Sequence, residues 1–133
     1  MMERTFAMIK PDAVKHHNIG NIIAMIEAHG FTIDRMEKRQ LSHSLAQQFY
    51  AVHKDRPFFG ELVDFITSGP VIVLALEKEN AIKAWRDLMG ATNPAQAAEG
   101  TIRKKYAHSI GENAVHGSDA PETAAQELDL IFG

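Results

Sequence analysis

The chain contains no cysteine, which excludes a disulfide framework and a thiolate metal site. It also lacks a long apolar run. Nothing approaches the roughly 18 consecutive apolar residues that a membrane-spanning helix needs. The opening segment Met1-Met2-Glu3-Arg4-Thr5 has no apolar stretch of the secretory kind, so a soluble, cytoplasmic protein is expected. Repeats, low-complexity tracts and linkers are missing too. Charge is nearly balanced: 14 Lys and Arg against 17 Asp and Glu give a net −3. Nothing in that balance suggests a non-specific polyanion binder, and it leaves nucleic acid a weak candidate partner. Two familiar phosphate-binding loops are absent as well. There is neither a Gly-x-x-x-x-Gly-Lys-Ser/Thr segment nor a Gly-x-Gly-x-x-Gly turn. Any nucleotide chemistry here must grip phosphates with side chains.

What is present suits one domain spanning residues 1–133, with 45% hydrophobic residues to fill a core. Thr5 to Ile9 is a short apolar run stopped by Pro11, which predicts a buried strand. Ile19, Ile22, Ile23 and Ile26 have helical spacing, with Gly30 at the position that follows a helix. Phe31 to Gln40 predicts a second strand whose far end enters solvent. Leu45, Phe49 and Val52 share a helical face, and Phe59 to Ile66 forms a further short helix. Val71 to Leu76 is the clearest buried strand. Ala81, Ile82, Trp85 and Leu88 make an amphipathic helix closed by Gly90. Residues 91–111 show no clear periodicity and read as a long loop, either functional or disordered. A short strand near Asn113 to His116 leads into a last helix, where Asp119 and Glu122 predict a capping pair and Ala124, Ala125, Leu128 and Ile131 face inward. Four strands with interspersed helices predict an α+β sandwich, and the connection lengths suit a ferredoxin-like, four-stranded antiparallel sheet covered by helices.

The most specific segment is Asn113-Ala114-Val115-His116-Gly117-Ser118-Asp119. A neutral imidazole is a nucleophile near pH 7, because its unperturbed pKa is about 6.5. Gly117 removes bulk beside the ring, so an anion can approach. Ser118 and Asp119 are helix-starting residues, and helix N-termini attract anions. Glu127 follows on the last helix and can return to orient the ring. Lys10, Arg86 and Arg103 are candidate phosphate cations, with Thr92 and Tyr50 as hydroxyl donors. Each also has an ordinary reading: a strand-closing lysine, a solvated helix arginine, a surface charge run Arg103-Lys104-Lys105, and a tyrosine capping a packed helix. Phe58 and Phe59 read as core, with at most one exposed as a stacking platform. The seven histidines at 16, 17, 29, 43, 53, 108 and 116 show no zinc-like spacing, and His16-His17 suits a solvated turn.

The segment at 113–119 resembles the active-site signature of the nucleoside diphosphate kinases. Lys10-Pro11-Asp12, Arg56-Pro57-Phe58-Phe59, Ser68-Gly69-Pro70, Gly90-Ala91-Thr92-Asn93-Pro94 and Gly100-Thr101-Ile102-Arg103 resemble further segments of that family in order. The likeness covers nearly the whole chain. It implies a ping-pong transfer of the γ-phosphoryl of a nucleoside triphosphate, typically ATP, to a nucleoside diphosphate. It further implies His116 as the phosphorylated nucleophile, with Glu127 and Ser118 holding its ring and Tyr50 beside it. By the same likeness, Lys10 and Asn113 contact ribose hydroxyls and the transferred phosphate. Arg86, Thr92 and Arg103 clamp the diphosphate, and Phe58 stacks under the base. Mg²⁺ is the implied cofactor, bound mainly through the phosphates with few or no protein ligands. The implied assembly is a homo-oligomer, tetramer or hexamer. Lys104-Lys105-Tyr106 departs from the family, where many members carry a small residue, an aspartate and an aromatic.

Overall fold

A computed structural model of the chain describes residues 2–133. β1 (Met2–Ile9), β2 (Thr32–Arg39), β3 (Val71–Glu79) and β4 (Val115–Gly117) form one sheet in the order β2-β3-β1-β4, and every pairing is antiparallel. This is the ferredoxin-like α+β sandwich that the sequence predicts. The helices are α1 (Pro11–Lys15), α2 (Ile19–Ala28), α3 (His43–Phe49), α4 (Phe59–Ile66), α5 (Ala81–Met89), α6 (Ile102–Tyr106) and α7 (Pro121–Phe132). Single 3₁₀ turns lie at Ala51–His53 and Pro94–Gln96.

Both faces of the sheet are covered, which explains why β3 reads as an unbroken apolar run rather than an alternation. Side chains along a strand point to opposite faces in turn. Ile72, Leu74 and Leu76 enter one core with Ala7 and Ile9 of β1, Ile22 and Ile26 of α2, and Trp85 of α5. Val71 and Val73 enter the other with Phe6 and Met8, Phe49 of α3, Val63 and Ile66 of α4, and Ile131 of α7. Gly30 follows α2 as predicted, at φ +85°, a conformation that L side chains resist.

The structure differs from the sequence reading at several ends. Helix α3 stops at Phe49, so Val52 falls in the 3₁₀ turn and is 83% exposed. Pro11 does more than stop β1. It opens the short α1 at the first helical position, where its missing N–H has no partner to lose. The 91–111 stretch is not a bare loop: it contains a 3₁₀ turn and α6, whose Ile102 is fully buried. The expected Asp119–Glu122 capping pair does not form. Pro121 forces the residue before it out of the helical region, so Ala120 is extended at φ −154° and ψ 165° and becomes the N-cap. Ala124 and Ile131 of α7 are buried, Leu128 is half-buried, and Ala125 faces solvent.

Leu74 lies on β3, paired to Ala7 of the neighbouring strand, and is fully buried. Leu74→Ala is expected to lower stability by about 2–5 kcal/mol. Denaturant unfolding checks this, and an effect within error would contradict the two-core packing.

Candidate active site

Strand β4 lies at the edge of the sheet and pairs His116 with Met8 of β1. Alternation then turns the imidazole toward the core that holds Phe6 and Phe49. The Phe49 ring meets it nearly edge-on at 5.0 Å between centroids, and Phe6 lies at 6.0 Å. Nε2 of His116 lies 3.2 and 3.3 Å from the two carboxylate oxygens of Glu127 on α7. Ser118 donates its hydroxyl to Oε1 of the same carboxylate at 2.6 Å. An ionised carboxylate only accepts, so Nε2 carries the proton and Nδ1 keeps its lone pair. The His116 carbonyl is held separately, by the Trp85 indole N–H at 3.1 Å.

The turn that delivers β4 is strained. Ala114 sits at φ +73°, in the region that side chains avoid, and Val115 N–H bonds back to the Asn113 carbonyl at 2.8 Å. Its own amide donates to Asp12 Oδ2 at 3.0 Å, and its carbonyl accepts from the Lys10 backbone at 2.8 Å. Above the turn, Lys10 Nζ donates to Asn113 Oδ1 at 2.9 Å.

Arg103 is not the surface residue that its charge run suggests. It is only 8% exposed. Its guanidinium donates to the carbonyls of Asn113 at 3.3 Å, Gly90 at 3.0 Å and Val115 at 3.0 Å. Among the described residues no carboxylate pairs with it. Burial lowers its pKa. Lys10 is pulled down to about 8, by burial first and by Arg103 second, with Asp12 opposing. Two cations close together, with Asp12 opposing at Lys10, leave a net positive charge that an anionic ligand relieves.

Arg86, Thr92, Arg103 and His116 line one pocket of about 360 Å³ together with Gly117 and Asp119. Arg86 Nη2 donates to the Asp119 carbonyl at 3.0 Å. Phe58, 41% exposed, lies in a separate cleft of about 420 Å³, opposite Ile110, which is 59% exposed. Phe59 is half-buried beside it. Tyr50 is buried at the end of α3 and packs edge-on against Phe49 at 5.1 Å, so the ring against His116 is that of Phe49. Burial, and then the Glu127 charge, push the Tyr50 hydroxyl up to about 12.

The nucleoside diphosphate kinase family profile matches residues 3–133. The chain belongs to the nucleoside diphosphate kinase family. The kinase of Pelobacter propionicus is 63% identical over 131 residues, covering 98% of this chain and 96% of that one. That of Agrobacterium fabrum is 63% identical, with 98% and 94% covered. Among solved structures, the Aquifex aeolicus kinase superposes with a TM-score of 0.98 at 40% identity, over 100% of this chain and 96% of that one. A Halobacterium salinarum kinase in complex with CDP gives 0.95 at 42% identity, over 99% and 88%. This kinase is therefore an enzyme of phosphoryl transfer between nucleoside triphosphates and diphosphates.

Local sequence patterns give no separate role to three residues that the structure places around these side chains. Ile110 looked like part of a featureless loop, Asp12 like part of a motif, and Trp85 like core. Gly117 needs a different explanation from the sequence reading. A Cβ there would come within 2.8 Å of Met89 Cε and closer still to the Trp85 indole, so the glycine is required by packing beneath the strand. Gly117→Ala is expected to destabilise by about 1–3 kcal/mol and to perturb the emission of Trp85, the single tryptophan. An unchanged melting temperature and spectrum would restore ring access as the reason for the glycine.

Proposed function

We propose that the transfer runs in two half-reactions through a phosphohistidine at Nδ1 of His116. The lone pair attacks the γ-phosphorus of a nucleoside triphosphate, typically ATP. The bond to the β–γ bridging oxygen breaks, and the diphosphate departs. A second nucleoside diphosphate enters the same pocket, its terminal phosphate oxygen attacks, and the P–N bond breaks. The observation that carries this reading is the His116–Glu127–Ser118 chain beside a pocket lined by Arg86, Arg103 and Thr92. Glu127 keeps the proton on Nε2 and stabilises the positive charge that the ring gains on phosphorylation. Ser118 orients that carboxylate.

Arg86, Arg103 and Thr92 are read as the diphosphate clamp, because they share the pocket with the nucleophile. Lys10 and Asn113, paired at 2.9 Å, are assigned to the ribose hydroxyls and the transferred phosphate. Tyr50, with its raised pKa, stays a neutral hydroxyl donor across the working range. The base is assigned to the cleft between Phe58 and Ile110. Stacking on such faces tolerates every base, and phosphates and sugar are common to all nucleotides, so a broad substrate range is expected.

Mg²⁺ prefers oxygen ligands and keeps several waters. Among the described residues no cluster of three or more metal-binding side chains exists, and Asp119 is the single carboxylate on the pocket wall. The donor set therefore fits an ion that arrives on the nucleotide phosphates, with Asp119 within the same pocket. When bound, the ion neutralises phosphate charge. We further assign the enzyme to the cytoplasm as a homo-oligomer, tetramer or hexamer, acting on nucleotides rather than nucleic acid. Among the described residues no helix is long and apolar enough to cross a membrane.

Intact-mass measurement after incubation with ATP and Mg²⁺ tests the mechanism. The wild type is expected to gain one phosphoryl group and to lose it to a non-adenine diphosphate. His116→Ala is expected to show neither adduct nor exchange at an unchanged fold. An adduct on that variant would remove His116 from the role. Lys10 is a cation only below its pKa of about 8, so its attraction for phosphate fades as the pH rises through that value. The kcat/KM profile, which reports the free enzyme, is expected to fall above about pH 8. A flat profile to pH 9.5 would exclude Lys10 as a phosphate cation.

A further inference from the structure

Ala114 sits at φ +73° in the site loop, and its own amide and carbonyl are both hydrogen-bonded. Arg103 donates to the carbonyls on both sides of it, those of Asn113 and Val115. On the other side the Ala114 amide meets Asp12 Oδ2 and its carbonyl meets the Lys10 amide. Asp12 lies on α1, itself started by Pro11, and is buried. Its second oxygen, Oδ1, is buried with no hydrogen-bond partner among the described residues. A buried carboxylate with one unmet oxygen lowers stability. A fold needing only an acceptor for one amide would be served as well by a neutral side chain.

We infer that Asp12 is a positioning residue of this kinase: its carboxylate, through the Ala114 amide, holds the strained turn that aims Asn113 at Lys10 and presents two of the three carbonyls gripping Arg103. The inference rests on the reading that Lys10, Asn113 and Arg103 handle nucleotide. It adds a group that touches neither nucleotide nor His116.

The charge has a second consequence. Lys10 faces Arg103 from α6, Asp12 from α1 and the neutral Asn113 side chain from the loop. Asp12 in turn faces Lys10 and Glu112. Asp12 is thus the negative charge that opposes burial and Arg103 in keeping the Lys10 ammonium protonated. Removing that charge lowers the Lys10 pKa, and the enzyme loses its cation at a lower pH.

Two substitutions separate these effects. Asp12→Ala removes the acceptor and the charge. It is expected to lower kcat/KM by about 100-fold, the order associated with a misplaced catalytic group. Asp12→Asn keeps a carbonyl for the Ala114 amide and removes the charge. It is expected to recover most of that loss at pH 6.5, while its basic limb moves to lower pH. The same movement is expected in the NMR titration of the Lys10 side-chain methylene next to nitrogen, assigned by its loss in Lys10→Arg. That readout requires no turnover, so it judges Asp12 even where the wild type forms no phosphohistidine and the mechanism above fails. A Lys10 titration and basic limb unchanged in Asp12→Asn would overturn the electrostatic part. Wild-type kcat/KM in a folded Asp12→Ala would overturn the positioning role.

Discussion

The site hangs on one short piece of pairing, Val115–Gly117 against Ala7–Ile9. Three residues of edge strand would hold a side chain poorly by themselves, since an edge has neighbours on one side only. Here the strand is fixed from beneath and from both ends. The Trp85 indole takes the His116 carbonyl, and the missing side chain of Gly117 lets that indole come close enough to do so. Ser118 N–H bonds to the Phe6 carbonyl at 3.3 Å, so the chain leaving β4 is tied to the same central strand. The imidazole then has little freedom left. Phe49 closes on its face side, and Glu127 holds one nitrogen.

The second constraint is electrostatic. The protein places Lys10 and Arg103 near each other, largely removed from water, and satisfies them with carbonyls and an amide oxygen rather than carboxylates. Neutral acceptors meet the hydrogen-bonding needs of these groups without cancelling their charge. The residual positive field is then available to an anion, in a partly buried setting where it is less screened than in bulk water. The same groups brace the strained turn at Ala114, so geometry and field share one set of contacts. The two-core sandwich makes this possible. With both sheet faces sealed, the edge and the loops beside β4 remain as the places where polar groups can converge.

Much of this was readable residue by residue. His116, Glu127 and Ser118 stand together as the sequence suggested, because a strand–turn–helix connection only 11 residues long brings its ends into register. The Val71–Leu76 run identified β3, since continuous burial leaves a continuous apolar signature. Other points escaped for physical reasons. Arg103 looked solvated because local charge patterns say nothing about carbonyls arriving from residues 90, 113 and 115. The last helix begins later than its capping residue types suggest, because the steric effect of Pro121 on Ala120 prevails. Ile110 carried no signal, as an exposed apolar residue in a loop acquires meaning only opposite Phe58.

The sequence by itself determined the class of fold and the chemical inventory. Periodic apolar positions dictate which faces are buried, and a histidine in the setting of residues 113–119 is chemically specific without knowledge of its neighbours. Tertiary structure alone decided which nitrogen of His116 faces Glu127, why Gly117 must lack a side chain, and which cations are held by carbonyl and amide oxygens. Those are matters of distances between residues far apart in the chain: Asp12 and Ala114, Trp85 and Gly117, Lys10 and Asn113. Local pattern reports what a residue prefers, while the closing of the sheet determines what it meets.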